Sequence, residues 1–124
     1  MDGLFRDCFS FNDDISGWDV SNVTTMEEMF LYARAFNQPI GVWDVSNVTD
    51  ISDMFNSAIA FNQPLDAWNT LNVNNMECTF AQARLFNQSL ASWDVSKVTN
   101  KRDMKFMFFG ASAFNQSSPT FIWI

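Results

Sequence analysis

The sequence predicts an α/β repeat solenoid, a coil with one short parallel strand and one short helix in each 25-residue rung. Two observations predict it. Trp18, Trp43, Trp68 and Trp93 open the segments WDVSNVT, WDVSNVT, WNTLNVN and WDVSKVT at a constant spacing of 25 residues. A Phe-Asn pair precedes each tryptophan by seven residues, at Phe11-Asn12, Phe36-Asn37, Phe61-Asn62 and Phe86-Asn87, and recurs at Phe114-Asn115. A fixed period in this range marks repeats too small to bury their own apolar side, which stack on their neighbours instead.

Within one repeat, the strand is expected at residues 23–26 and their equivalents, because the β-branched Val-Thr pair favours extended geometry. The helix is expected over MEEMFLYARAF, where Met26, Met29, Phe30 and Ala33 stand at helical spacing. It is short: Thr24 or Thr25 supplies a cap, and Asn37-Gln38-Pro39 or Asn62-Gln63-Pro64 stops it. A second phenylalanine row, Phe5, Phe30, Phe55, Phe80 and Phe108, lies six residues before the first and completes the aromatic core.

Two polar rows recur with the tryptophans. Asn12, Asn37, Asn62, Asn87 and Asn115 never vary, and an amide with both donor and acceptor capacity suits an internal ladder between rungs. Asp19, Asp44, Asn69 and Asp94 read as Asx turns, whose side-chain oxygen accepts from the backbone two residues on. The alternative is calcium held between rungs by Asp19, Asp44 and Asp94. The fourth rung breaks the period. Deleting Lys105, Phe106 and Met107 would restore it, so a bulge is expected there. Residues 116–124 read as an irregular cap or docking segment.

Composition bounds the function. With 48% apolar residues, 14 of them phenylalanine, residues 1–124 supply one core and no second domain is visible. The net charge of −7 argues against nucleic acid or an anionic membrane as partner. Residues 1–92 hold three basic side chains against twelve acidic ones, and residues 93–124 hold four against two. That asymmetry, −9 against +2, suits head-to-tail self-association. No apolar run matches a membrane span or a secretion signal, so the chain reads as cytosolic or as a mature piece of something longer. Cys8 and Cys78 stand three rungs apart, roughly 14 Å at sheet spacing, too far for a disulfide; Cys8 reads as core filler and Cys78 as more exposed. Without histidine, a glycine-rich phosphate loop or zinc-ligand spacing, neither an enzyme nor a bound cofactor is expected.

The unit MFLYARAFNQPIGVWDVSNVT and its copy MFNSAIAFNQPLDAWNTLNVN resemble the BspA-like bacterial surface protein repeat. The resemblance runs from about Phe5 to Gln116. It implies a right-handed, leucine-rich-repeat-like solenoid in a secreted or surface-anchored protein, associated with adhesion and protein binding and without catalytic residues. The expected function is a non-catalytic protein-binding or adhesion module; the alternative is a structural subunit of a filament, surface layer or larger complex that associates through its ends. The candidate contacts are Thr24, Thr49, Asn74 and Thr99, with Asp50 beside them, and the irregular Lys105, Phe106 and Trp123. Asn22-Val-Thr and Asn47-Val-Thr match glycosylation sequons in a row expected to face solvent.

Overall fold

A computed structural model describes residues 1–99 and 106–117. The 25-residue period appears directly in its backbone hydrogen bonds. Across the turn-rich segment of each rung, alternate amides leave the rung: Met26, Glu28, Phe30 and Tyr32 donate to the carbonyls of Asp50, Ser52, Met54 and Asn56 at 2.9–3.0 Å. Ile51, Asp53, Phe55 and Ser57 donate in the same way to Asn75, Glu77, Thr79 and Ala81. The intervening amides stay local. Met54, Asn56, Ala58 and Phe61 each donate to the carbonyl three residues back.

This division of amides corrects the expected secondary structure. Among the described residues there is no α-helix and no strand; the only regular element is a 3-10 turn, Ile40–Val42, and pairing is limited to isolated parallel bridges of Thr25 with Asp50 and Asp50 with Asn75. A rung such as 40–61 is a succession of tight turns at 40–43, 45–48, 51–54, 53–56, 55–58 and 58–61. The α/β solenoid with a strand and a helix per rung is therefore not formed.

The reason lies in backbone geometry. Glu28 and Tyr32 have φ of 57° and 59°, and the same pair of left-handed positions recurs at Asp53 and Ser57, at Cys78 and Gln82, and at Phe106 and Gly110. A left-handed residue every fourth position breaks helical propagation and closes i→i−3 turns instead. Such turns place Met26, Met29, Phe30 and Ala33 on one side, as a helix would, so the apolar spacing alone does not separate the two. The extended stretch fails for a related reason. One turn ends at Val23 and the next begins at Met26, which leaves room for a bridge and not a strand.

Most of these left-handed residues carry a side chain where glycine is preferred. Ser57→Gly, at φ 60°, is expected to raise stability by about 0.5–1 kcal/mol. A higher urea midpoint checks it; a lower one would mean that the Ser57 hydroxyl, bonded to Asn56 at 3.0 Å, outweighs the backbone.

The core is two columns of rings. Phe5, Phe30, Phe55, Phe80 and Phe108 stack along one, with centroids 5.5–5.8 Å apart, and Phe11, Phe36, Phe61, Phe86 and Phe114 along the other, 5.7–6.1 Å apart. Within each rung the two rings face each other at 4.0–4.2 Å. The tryptophans complete the wall. The indole N–H of Trp43, Trp68 and Trp93 donates to the carbonyl of Ile15, Ile40 and Leu65 in the rung before, at 2.9–3.1 Å. Each therefore fastens one rung to the next while burying its ring.

Two irregular rungs are accommodated locally. Thr70 takes a place held elsewhere by valine; it is buried, and its hydroxyl donates to the Asp94 carbonyl and accepts from the Asp94 amide. Thr79 replaces a methionine, and its hydroxyl reaches the carbonyls of Met76 and Ile51. Beyond the fourth rung the register resumes at Phe106: Phe80 and Gln82 donate to Met107 and Phe109, three residues later than the pattern elsewhere. Phe106 and the buried Met107 are thus in register, so the extra residues precede Phe106 and the expected bulge over Lys105, Phe106 and Met107 is corrected. Lys105 and Trp123 lie outside the described residues.

Candidate binding surface

The surface follows from which atoms the stacking consumes. In the row Thr24, Thr49, Asn74 and Thr99 the backbone links rungs: Thr49 N–H donates to Thr24 C=O at 2.8 Å and Asn74 N–H to Thr49 C=O at 2.9 Å. All four side chains are exposed. The neighbouring row is half-buried and cross-linked, with Thr25 Oγ1 donating to Asp2 Oδ1 at 2.8 Å and Asn75 Nδ2 to Asp50 Oδ2 at 3.2 Å. Asp50 Oδ1 also accepts from Ser52 N–H and Oγ. Asp50 is thus held from both sides rather than presented freely. Partial desolvation, followed by repulsion from Asp50, Asp2, Glu28 and Asp53, pushes the Glu27 carboxyl above its ordinary range. This side of the coil is a firm, acidic surface.

The asparagine row forms a continuous ladder by a specific route. Asn12 Oδ1 accepts from Asn37 N–H at 2.8 Å and from Gln38 Nε2 at 3.1 Å. Asn37 serves Asn62 and Gln63, and Asn62 serves Asn87 and Gln88, in the same way. Asn87 accepts from Asn115 and Gln116. The glutamine that follows each asparagine is therefore a working member of the ladder, which reading the asparagine column alone misses.

The aspartate row is a set of Asx turns. Asp19, Asp44 and Asp94 each accept from the N–H and the hydroxyl of the serine two residues on, at 2.6–3.0 Å, and Asn69 does the same for the Leu71 N–H at 3.1 Å. No group of three or more metal-ligating side chains is found among the described residues. The serine hydroxyl first, then the backbone amide, holds these aspartates below the ordinary carboxylate range. The sign follows from linkage: a lowered folded-state value contributes stability that is present above the unfolded value of about 3.9 and is lost as pH falls through the folded value. Urea midpoints are therefore expected to fall below about pH 4. In Asp44→Asn, which retains the amide acceptor as Asn69 does, that fall should be shallower. An unchanged acid profile would remove the row from the stability of the coil.

Another asparagine row also bridges rungs. Asn47 Nδ2 donates to Ser21 C=O and Asn72 Nδ2 to Ser46 C=O, both at 2.7 Å, and Lys97 Nζ donates to Asn72 Oδ1 at 2.6 Å. Asn22 and Asn47 are exposed, yet the Asn47 amide nitrogen is already engaged.

The arginines escaped the sequence reading. Arg34, Ile59 and Arg84 share one column, and with Tyr32, Ser57 and Gln82 they line an open groove of about 240 Å³. The Arg34 guanidinium lies 5.1 Å from the Phe9 ring centroid, while Arg6 pairs with Glu28 at 2.7 Å. The spacing of 50 between Arg34 and Arg84 was visible in the sequence as a shared column, had the basic residues been placed in register as the aromatic ones were. Phe106 is 53% exposed and meets Phe109 edge-on at 5.6 Å. Among the described residues neither Cys8 nor Cys78 forms a disulfide, and both are half-buried, so the expected contrast in their exposure is small.

Among the described residues no helix is long and apolar enough to cross a membrane. A family model described as "Mycoplasma protein of unknown function, DUF285" matches residues 1–121. No curated protein and no solved structure matches the chain.

Proposed function

We propose a function for a chain that belongs to the Mycoplasma protein family of unknown function, DUF285: it is a non-catalytic protein-binding or adhesion module of a surface or secreted protein. The observation that carries this reading is the row Thr24, Thr49, Asn74 and Thr99. Its backbone is tied from Thr24 through Thr49 to Asn74, so their exposed side chains form a regular, preorganised strip that costs little ordering on contact. The resemblance to BspA-like repeats supports the same class of function. Quantitative capture from a surface extract of the native source tests it, with the wild-type chain beside Thr49→Arg/Asn74→Arg. A partner retained by the first and lost by the second is the expected result; equal retention by both would remove this strip from the interface.

The alternative, a structural subunit that joins through its ends, draws on the first rung. Leu4, Phe9 and Trp18 are 49%, 54% and 42% exposed there, whereas Trp43, Trp68 and Trp93 are buried. Light scattering in high salt tests it, since apolar end contacts persist where charge contacts are screened.

A further inference from the structure

Two rows of opposite charge run along this coil with the same pattern. On one, Arg34 and Arg84 flank Ile59; on the other, Glu27 and Glu77 flank Ser52. Each row thus places its charges two rungs apart with an uncharged residue between. The rise agrees as well. Ring centroids step 5.9 and 6.1 Å from Phe36 through Phe61 to Phe86, two residues along the chain from the arginine row, and 5.6 and 5.5 Å from Phe30 through Phe55 to Phe80, three residues along from the glutamate row. The small difference is well within the reach of arginine and glutamate side chains.

Among the described residues neither row has an ion-pairing partner in its own chain. Arg34 and Arg84 are exposed and form no ion pair among the described residues, where Arg6 alone pairs with acids. Glu27 stands among acids and forms no ion pair among the described residues. A partner with carboxylates at every second step of this rise needs the same stacking as this chain. We infer that the Arg34–Ile59–Arg84 row docks, side by side and in register, on the Glu27–Ser52–Glu77 row of a second copy. This rests on the binding-module reading and names one partner of that module.

Sedimentation velocity of the full chain, from micromolar to millimolar concentration at low and high salt, tests the contact. Mass that rises with concentration at low salt and falls back on adding salt is expected. Arg34→Glu/Arg84→Glu and Glu27→Lys/Glu77→Lys should each be monomeric, and an equimolar mixture should associate again. The milder Arg34→Gln/Arg84→Gln should weaken association about tenfold, with an unchanged circular dichroism melt showing that the fold is intact. A wild-type chain monomeric throughout at low salt, a reversed variant that associates like the wild type, or a mixture that does not associate would each overturn the docking. Association that survives high salt and both reversals is end-to-end and overturns it too. Loss of the docking while Thr49→Arg/Asn74→Arg still abolishes capture of another partner would leave the binding-module reading standing.

Discussion

Phe55→Ala is expected to cost about 3–5 kcal/mol, enough to unfold much of the coil at room temperature. Phe55 is fully buried and its ring meets Phe61 at 4.2 Å, Phe30 at 5.6 Å, Phe80 at 5.5 Å and Trp68 at 6.3 Å. Truncation removes the transfer free energy of the ring and opens a void between two rungs whose backbones are tied by direct hydrogen bonds. Those bonds limit collapse of the void, which places the cost toward the upper part of the range. The same change at Phe5, which is only half-buried on the first rung, should cost less than half as much. Urea unfolding followed by tryptophan fluorescence and circular dichroism checks both. Equal losses at Phe5 and Phe55 would mean that the ring column does not act through burial between neighbours.

The second large effect concerns the ladder. Asn62→Ala is expected to cost about 1–3 kcal/mol, because Asn87 N–H and Gln88 Nε2 both lose the Oδ1 that accepts them. Asn62→Asp keeps that acceptor and should cost less than about 1 kcal/mol. Two adjacent aspartates differ. Asn37→Asp/Asn62→Asp should exceed the sum of its single changes, because like charges then stand one rung apart. Additive costs in that double variant would mean the row is screened well enough for carboxylates, and would leave its uniform asparagine unexplained.

The stacking of these rows could be read from the chain because stacking leaves its mark on composition: rings, small residues and asparagines recur in columns. The inner architecture of a rung could not. Met26, Met29, Phe30 and Ala33 stand at a spacing shared by an α-helix and by successive i→i−3 turns, and the distinguishing signal is left-handed backbone at Glu28 and Tyr32. Those positions carry Glu, Tyr, Asp, Ser, Cys and Gln where glycine or asparagine would have announced a turn. In the candidate surface, the exposed threonine row was visible from its column, whereas the bracing of Asp50 by Ser52 and Asn75 depends on where turns bring side chains back. The glutamines of the ladder and the arginine column were present in the repeat but were not placed in register.

The division of amides between local turns and neighbouring rungs also gives the coil a direction. In residues 26–32 and their equivalents, every amide that leaves its rung points toward the following rung, and every carbonyl that receives one points back. An ordinary parallel sheet mixes both senses at each interface. Here the peptide dipoles of successive rungs add along the stack, much as they add along a helix axis. Along this edge each such rung turns donors toward the following rung and acceptors toward the preceding one. Two faces of the same kind cannot satisfy each other, so every described rung meets its neighbour along this edge in the same sense.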